Sequence, residues 1–331
     1  MMPNLSQFNE KNVLVAGASG FIGTNLLNAL NDCGANLFGT INNSLLQTDL
    51  PNVTLRHCDL TTPAGCKKAM HNIDYAFMCA AKSSGAAVIE KTPLAHLTPN
   101  IIMNSLILEA AHEAGVEKFC FVSSSTVYPV SELPVTEAEA DFVFYEKYHI
   151  VGWMKRFSEI LCEIYASKLS SPMQTMVVRP ANVYGPYDKF TYKDSKVIPA
   201  LIRRSLEKEN PFVIWGDGHD LKDFIYIDDF ISGLLTAFTE PTITSPVNIS
   251  SGKAITVREV AKTILRESDH LNVDLVFDES KPKMIPKRLI SNKKLTTSSN
   301  WRPLTNIDHG IQKTISWYLE YFANKTPEEM V

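Results

Sequence analysis

The chain has 331 residues, 45% of them hydrophobic, and sets 32 basic residues against 36 acidic ones for a formal charge of -4. That length and apolar share can bury a full core in one large domain or in two unequal, closely packed ones. The charge balance leaves no polycationic face to hold a nucleic-acid backbone by counterion release. The polar start MMPNLSQFNEKN lacks a signal-peptide core, and no apolar run approaches the roughly 20 residues of a membrane span, so neither nucleic acid nor membrane is expected as a partner and a cytoplasmic protein is.

Taken in chain order, NVLVAG (12–17), NLFGTI (36–41), VTLRHC (53–58), DYAFMC (74–79) and KFCFVS (118–123) are short apolar runs that read as buried strands. Between them, residues 21–31 and 100–114 carry apolar side chains at helical spacing. A long helix is predicted over 148–169 and a strand over QTMVVRP (174–180). This alternation specifies an α/β protein with a doubly wound parallel sheet, the Rossmann arrangement. Past residue 180 the texture changes to loops rich in Pro, Gly, Tyr and charge. Helices are predicted near 198–208 and 257–267, and strands at FVIWGDG (212–218) and PVNIS (246–250). No low-complexity linker separates the halves. We therefore expect a dinucleotide-binding domain over 1–180 and a smaller mixed α/β substrate domain over 181–331, with some chain crossing, seated on the carboxyl edge of the sheet where such folds bind ligands.

The six cysteines show no CxxC spacing, and four lie in or beside apolar strand-like runs, which reads as buried thiols in a reducing compartment. The eight histidines form no HxxxH or HxH pair, so no metal site is expected.

GASGFIG follows the first strand and opens the first helix. Gly17 permits a tight turn, Gly20 lets a backbone approach a pyrophosphate, and Gly23 lets helix and strand pack closely. Ser19, Phe21 and Ile22 lie between these glycines, where free N–H groups and the helix dipole favour phosphate. An acid at the end of the second strand would select NAD and an arginine NADP, but GTINNS offers only Asn42 or Asn43, so the choice stays open. Asp59, followed by Leu60, is placed after the third strand to meet an adenine ring; its other reading is a helix N-cap for the segment beginning at Thr61.

Together with CAAKSSG (79–85), SSSTVYP (123–129), RPANVYGP (179–186), WGDGHDLKDFIYIDD (215–229) and NISSG (248–252), this turn resembles the extended short-chain dehydrogenase/reductase family, also called the NAD-dependent epimerase/dehydratase family, over nearly the whole chain. AAKSSGA, KVIPALIRRS (196–205) and SKPKMIPKRLI (280–290) are similar to its GDP-fucose synthase-like members, which act on GDP-linked sugars. The resemblance implies that Ala80, Ala81 and Lys82 line the cofactor. It also implies a Ser/Thr, Tyr, Lys constellation, in which a tyrosinate exchanges a proton with a sugar hydroxyl while nicotinamide exchanges the hydride. A lysine suits that site because its charge lowers the tyrosine pKa and its amine bonds the nicotinamide ribose. Ser124 matches the serine and Lys155 the lysine, but the position four residues before Lys155 is Val151, which transfers no proton. Tyr148, seven residues before Lys155, shares roughly its helix face one turn beyond; it is either a relocated proton donor, if the helix start is irregular, or a packing aromatic. Tyr145 is a weaker substitute.

Further departures narrow the reaction. Ser125 and Thr126 stand where 4,6-dehydratases of the family carry an acidic pair, which disfavours dehydration, and Thr126 replaces the cysteine of the 3,5-epimerising members, which disfavours that reaction too. Lys196 falls where those members carry the partner acid, and otherwise reads as a phosphate or surface contact beside Val197. For the nucleotide-sugar the match implies Ser125, Asn182, Lys196, Val197, Arg204, Lys222 and Arg288. Lys222 keeps the charge but not the fork of the family's more usual arginine, and Arg288 is expected to close over the nucleotide. Trp215 reads either as packing near the base or as core. The leading expectation is an NAD(P)-dependent reductase or C4 epimerase of a GDP-linked, less readily UDP-linked, sugar, working as a homodimer. The rival is a catalytically impaired cofactor-binding regulator, for which Val151 speaks directly. A third is a partner of a catalytic homologue.

Overall fold

A computed structural model describes residues 3–82, 92, 94–192, 195–281 and 285–323. Residues 83–85 of the CAAKSSG segment and 282–284 of SKPKMIPKRLI lie outside the described residues.

Seven strands form one parallel sheet: β1 (Asn12–Ala16), β2 (Asn36–Ile41), β3 (Val53–His57), β4 (Tyr75–Met78), β5 (Lys118–Val122), β6 (Gln174–Pro180) and β10 (Val247–Ile249). Their order is β10-β6-β5-β4-β1-β2-β3, the doubly wound Rossmann arrangement. The central strands are continuous apolar runs because helices cover both faces. Along β1 the alternation of a strand splits the core in two: Val13 and Val15 join one buried cluster, Leu14 and Ala16 the other.

The first face holds α1 (Phe21–Leu30) and α6 (Ile227–Thr239). The second holds α2 (Pro63–Met70), α3 (Leu94–Glu113) and α4 (His149–Ser167). α3 begins six residues before its expected start and carries Pro99 inside it. The sequence reading missed α6, eleven of whose thirteen residues are buried.

Over the carboxyl edge lie two small sheets. In one, β9 (Leu221–Tyr226) pairs with β7 (Asn182–Tyr184), β11 (Ala254–Thr256) and β13 (Lys287–Arg288). In the other, β8 (Phe212–Trp215) runs parallel to β12 (Leu275–Asp278). Around them sit α5 (Val197–Leu206), α7 (Val257–Glu267), α8 (Lys293–Ser298) and α9 (Ile307–Phe322). The first apolar cluster runs without a break from Val13 and Phe77 through Phe238 to Phe212 and Ile264, so both halves of the chain share it.

All six cysteines are free; Cys58, Cys66, Cys120 and Cys162 are buried, Cys33 and Cys79 half-buried. Burial pushes the Cys66 and Cys79 thiols up to about 12, which keeps them protonated and unreactive at neutral pH. Among the described residues no helix is long and apolar enough to cross a membrane.

Candidate active site

The glycine turn is built around close backbone approach. Gly17 sits at φ +82°, and a Cβ there would lie 2.7 Å from the Ala80 backbone at the end of β4. Its N–H donates to Thr40 Oγ1 at 2.9 Å, tying the turn to β2. A Cβ on Gly23 would come within 2.1 Å of the Gly17 carbonyl, so only glycine lets α1 start this close to β1. Gly20 is exposed and is the N-cap of α1, with no side chain capping the helix. The first-turn amides at Phe21, Ile22 and Gly23 thus open on a face free of side-chain acceptors, the electropositive end a pyrophosphate needs. Gln47 steadies the turn by donating to the Ser19 carbonyl at 2.9 Å.

Asn42 is exposed at the end of β2. Asp59 is exposed past β3 and accepts from the Thr61 amide (2.9 Å) and hydroxyl (2.7 Å), bonds that hold its carboxyl below the usual range. The helix-cap reading of Asp59 is corrected: Thr62 caps α2, accepting from the Gly65 N–H at 3.1 Å. Leu60 is buried in the core, so only its backbone faces the edge.

Ala80 and Ala81 continue β4 toward Lys82, whose backbone is gripped from α3. Buried Asn100 accepts from the Lys82 N–H and donates to its carbonyl, both at 2.9 Å, and His96 Nδ1 lies 3.1 Å from the same carbonyl. The sequence reading missed this clamp. Its signal was present: His96, Asn100 and Asn104, spaced by four along the helix, are all buried, and Asn104 donates to Ser158 on α4 at 2.9 Å.

Past β5, Ser124 caps a short 3-10 turn over Ser125–Val127, its Oγ accepting from the Thr126 amide at 3.1 Å. On α4, Lys155 donates its Nζ to the Val122 carbonyl at 2.9 Å and lies 4.8 Å above the Phe121 ring, which puts it at the carboxyl end of β5 beside Ser124. Burial lowers its pKa to about 8 against the opposing pull of Glu159. Gly152 makes this approach possible, since a Cβ there would sit 2.5 Å from the Thr126 carbonyl and 2.7 Å from the Phe144 ring. The start of α4 is irregular: a 3-10 turn over Glu146–Tyr148 precedes it, and Tyr148 is the N-cap at φ -109°, ψ 7°. Its half-buried phenol is pushed up by burial, opposed by the positive charge of Arg288. The Tyr145 ring lies tilted beside it at 49°, ring centroids 6.4 Å apart.

On the substrate side, Arg288 is buried: Nη1 donates to the carbonyls of Ser125 (2.8 Å) and Tyr128 (2.9 Å), while Nη2 is buried without a partner. Arg288 therefore pins the serine turn, a correction to its expected place as a flap over the nucleotide. Lys222, its register neighbour on β9, is also buried, donating to the Ile285 carbonyl and lying 3.2 Å from Asp220. Asn182 donates to the Asp223 carbonyl at 2.8 Å. Lys196 reaches toward buried Asp188 at 3.8 Å and toward the Phe21 ring at 5.2 Å, placing it between α1 and exposed Val197 at the start of α5. The expectation for Arg204 needs correcting: Nε and Nη2 both bond Glu209 at 2.6 Å, so its fork is already occupied. Trp215 is 52% exposed at the end of β8, which overturns the core reading.

Beneath the serine turn lies a buried polar network that no single segment of sequence announces. Arg179 on β6 makes a bidentate pair with Glu159 on α4 at 2.9 and 2.7 Å, and also donates to Tyr128 Oη at 2.9 Å. Ser123 donates to Glu159 at 2.6 Å, and Tyr128 to Asn248 on β10 at 2.5 Å. Among the described residues no cluster of His, Cys, Asp and Glu is arranged to hold a metal.

A model of the NAD dependent epimerase/dehydratase family matches residues 13–250. The chain is 29% identical to GDP-L-fucose synthase of Sinorhizobium fredii over 328 residues, covering 95% of this chain and 97% of that protein. It is 30% identical to GDP-L-fucose synthase of Escherichia coli over 268 residues, covering 76% and 82%. Among solved structures, UDP-glucose 4-epimerase of Thermotoga maritima, determined with UDP-glucose, superposes with a TM-score of 0.84 at 25% identity, covering 93% of this chain and 99% of that one.

Proposed function

Because the chain belongs to the NAD dependent epimerase/dehydratase family, we propose that it is an NAD(P)-dependent enzyme that reduces or C4-epimerises the sugar of a GDP-linked nucleotide-sugar, with UDP-linked sugars second in preference. The observation that carries the reading is the Lys155 ammonium bonded to the Val122 carbonyl at the carboxyl end of β5, where the chain continues into Ser124, together with an uncapped glycine turn after β1. A bound nicotinamide supplies hydride exchange with the sugar carbon. Ser124 Oγ holds the reacting sugar oxygen in register, Tyr148 Oη exchanges its proton, and the Lys155 ammonium bonds the nicotinamide ribose. Gly17, Ser19, Gly20, Phe21, Ile22 and Gly23 cradle the pyrophosphate, with Asn42 and Asp59–Leu60 at the adenosine and Ala80–Lys82 along the dinucleotide. Ser125, Asn182, Lys196, Val197 and Trp215 face the nucleotide-sugar, while Arg288 holds the serine turn, Lys222 stays with Asp220 and Arg204 stays with Glu209.

Mass spectrometry of protein incubated with GDP- and UDP-sugars and their 4-keto derivatives tests this directly. Conversion by the wild type that falls about 10²–10⁴-fold in Tyr148→Phe is the expected result for a lost proton donor. Binding of dinucleotide and sugar with no conversion favours the second reading, a regulatory binding protein, which Val151 at the usual tyrosine position supports. Ile102 on α3 and Trp153 and Ile164 on α4 are exposed apolar residues, and they support a homodimer through these helices. Light scattering of Trp153→Glu is expected to show a monomer. Six free cysteines, four of them buried, are in keeping with the cytoplasm.

A further inference from the structure

Between β7 and α5 the chain makes a strained bend. Gly185 sits at φ +147°, where a Cβ would lie 2.5 Å from Ile227 on α6, and Tyr187 sits at φ +67°, a left-handed conformation that a bulky aromatic residue rarely adopts. The Tyr187 ring is held against α9, with centroids 5.0 Å from Trp317 and 6.1 Å from Tyr321. Asn25 on α1 ties the same bend to the glycine turn, its Nδ2 donating to the Pro186 carbonyl at 3.0 Å and to the Phe21 carbonyl at 2.8 Å. The residue that follows the left-handed bend, Asp188, has a side chain only 3% exposed. Its Oδ1 accepts from the Lys189 N–H at 2.9 Å and lies 3.8 Å from Lys196 Nζ, while Oδ2 is buried with no hydrogen-bond partner among the described residues. Burial pushes this carboxyl above its usual range, and Lys196 exerts the strongest of the opposing pulls. Burying a carboxylate so thinly paired is costly, and an asparagine would fill the same space without that cost, so the charge serves something other than the fold.

Lys196 is the N-cap of α5, where it makes no capping bond and where a positive charge has the wrong sign for the helix dipole. Its side chain is 59% exposed, and its ammonium crosses to the other half of the chain, 5.2 Å from the ring centroid of Phe21, the first residue of α1. At 3.8 Å the pair with Asp188 is held by charge and not by a hydrogen bond, which leaves the ammonium donors for a ligand. We propose that Asp188 is a positioning residue: its carboxylate holds the Lys196 ammonium across the gap between α5 and the first turn of α1, where the lysine meets a diphosphate oxygen. A diphosphate reaches this gap from two sources, the dinucleotide on the glycine turn and the nucleotide-sugar, and the chemistry that the lysine recognises is common to both. Only the second source rests on the nucleotide-sugar reading above.

The test has two arms, each run on the wild type, Asp188→Asn, Lys196→Met and the double variant. NADH and NADPH are titrated by fluorescence into the dinucleotide-free protein, and GDP and UDP by calorimetry into the dinucleotide-loaded protein. Lys196→Met is expected to weaken at least one of the two diphosphates roughly three- to tenfold, the scale of a charge-assisted contact in a partly exposed site. Asp188→Asn is expected to weaken the same ligand while melting within a few degrees of wild type, and Asp188→Glu to recover part of the loss. The double variant is expected to lose no more than Lys196→Met alone, because the acid acts only through the lysine. Unchanged affinity of Lys196→Met in both arms overturns the proposal, and so does wild-type affinity in Asp188→Asn. An Asp188→Asn loss that recurs in full beside Lys196→Met also overturns it, since that is the mark of a structural role. Should Asp188→Asn fail to fold, Asp188→Glu takes its place: a shift in affinity that vanishes beside Lys196→Met supports the proposal, and an equal shift in both backgrounds overturns it. If GDP and UDP do not bind at all, the nucleotide-sugar reading falls, and the dinucleotide arm still decides the role of Asp188.

Discussion

Enlarging Gly20 and enlarging Gly23 differ in what they do to the fold, although only three residues separate them. At Gly20 the backbone is extended (φ -86°, ψ 165°) and a Cβ would press on one atom only, the Gly17 carbonyl at 3.3 Å, a contact that a shift of a few tenths of an ångström relieves, so the fold takes a side chain there at small cost and that side chain projects where the pyrophosphate approaches. Gly20→Val is expected to melt within a few degrees of wild type and to lose dinucleotide binding in a fluorescence titration; unchanged affinity would move the cofactor elsewhere. Gly23→Ala drives its Cβ to 2.1 Å from a carbonyl and is expected to lower stability and binding together. Lys155 allows a second prediction at this scale. Burial lowers the pKa of its amine to about 8 from the 10.5 of an ordinary lysine, so the ammonium is lost above pH 8 in the folded protein but persists in the unfolded chain. Between those values the unfolded state binds more protons, and this group makes stability rise with pH across that window. Acetylation of Lys155 in the cofactor-free protein, followed by peptide mass spectrometry, is expected to show a midpoint near pH 8. A midpoint above 10 would mean that the amine stands in water.

At the level of elements, the Glu159–Arg179 pair fastens α4 to β6 beneath the serine turn, and Tyr128 extends the link to β10. Glu159→Leu leaves a buried cation and is expected to cost about 3–5 kcal/mol in urea denaturation, while the double variant with Arg179→Met costs less than the sum. A loss under 1 kcal/mol for Glu159→Leu would show that the pair is not desolvated. Sequence reading served unevenly here. The central strands and the glycine turn were legible because each is a local pattern, a continuous apolar run or three glycines with separate steric tasks. Ser124 and Lys155 were legible through resemblance, and the irregular start of α4 that Tyr148 requires is present. What escaped depends on partners distant in the chain: Asn100 reading the Lys82 backbone, Glu159 meeting Arg179, and Arg288 buried against a turn some 160 residues earlier. Arg204 misled because its occupant, Glu209, lies in the loop after α5, where composition shows charge but no geometry.

For the whole molecule, the shared core matters more than any boundary near residue 180. β10 completes the parallel sheet by pairing with β6, and α6 covers the same face as α1, although both come from the second half of the chain. Denaturation is accordingly expected to be one cooperative transition by fluorescence and circular dichroism alike, and a fragment ending at 180 is expected to give no dispersed amide NMR spectrum. A well-dispersed spectrum from that fragment would establish two independent folding units. The position of β10 also bears on synthesis. A ribosome that has just produced β6 must add roughly 70 more residues before the strand that covers its edge exists, on the order of ten seconds at 5–20 residues per second. During that interval the apolar β6 segment has no β10 to pair with and stays open to association with other chains until the detour between the two strands has been made.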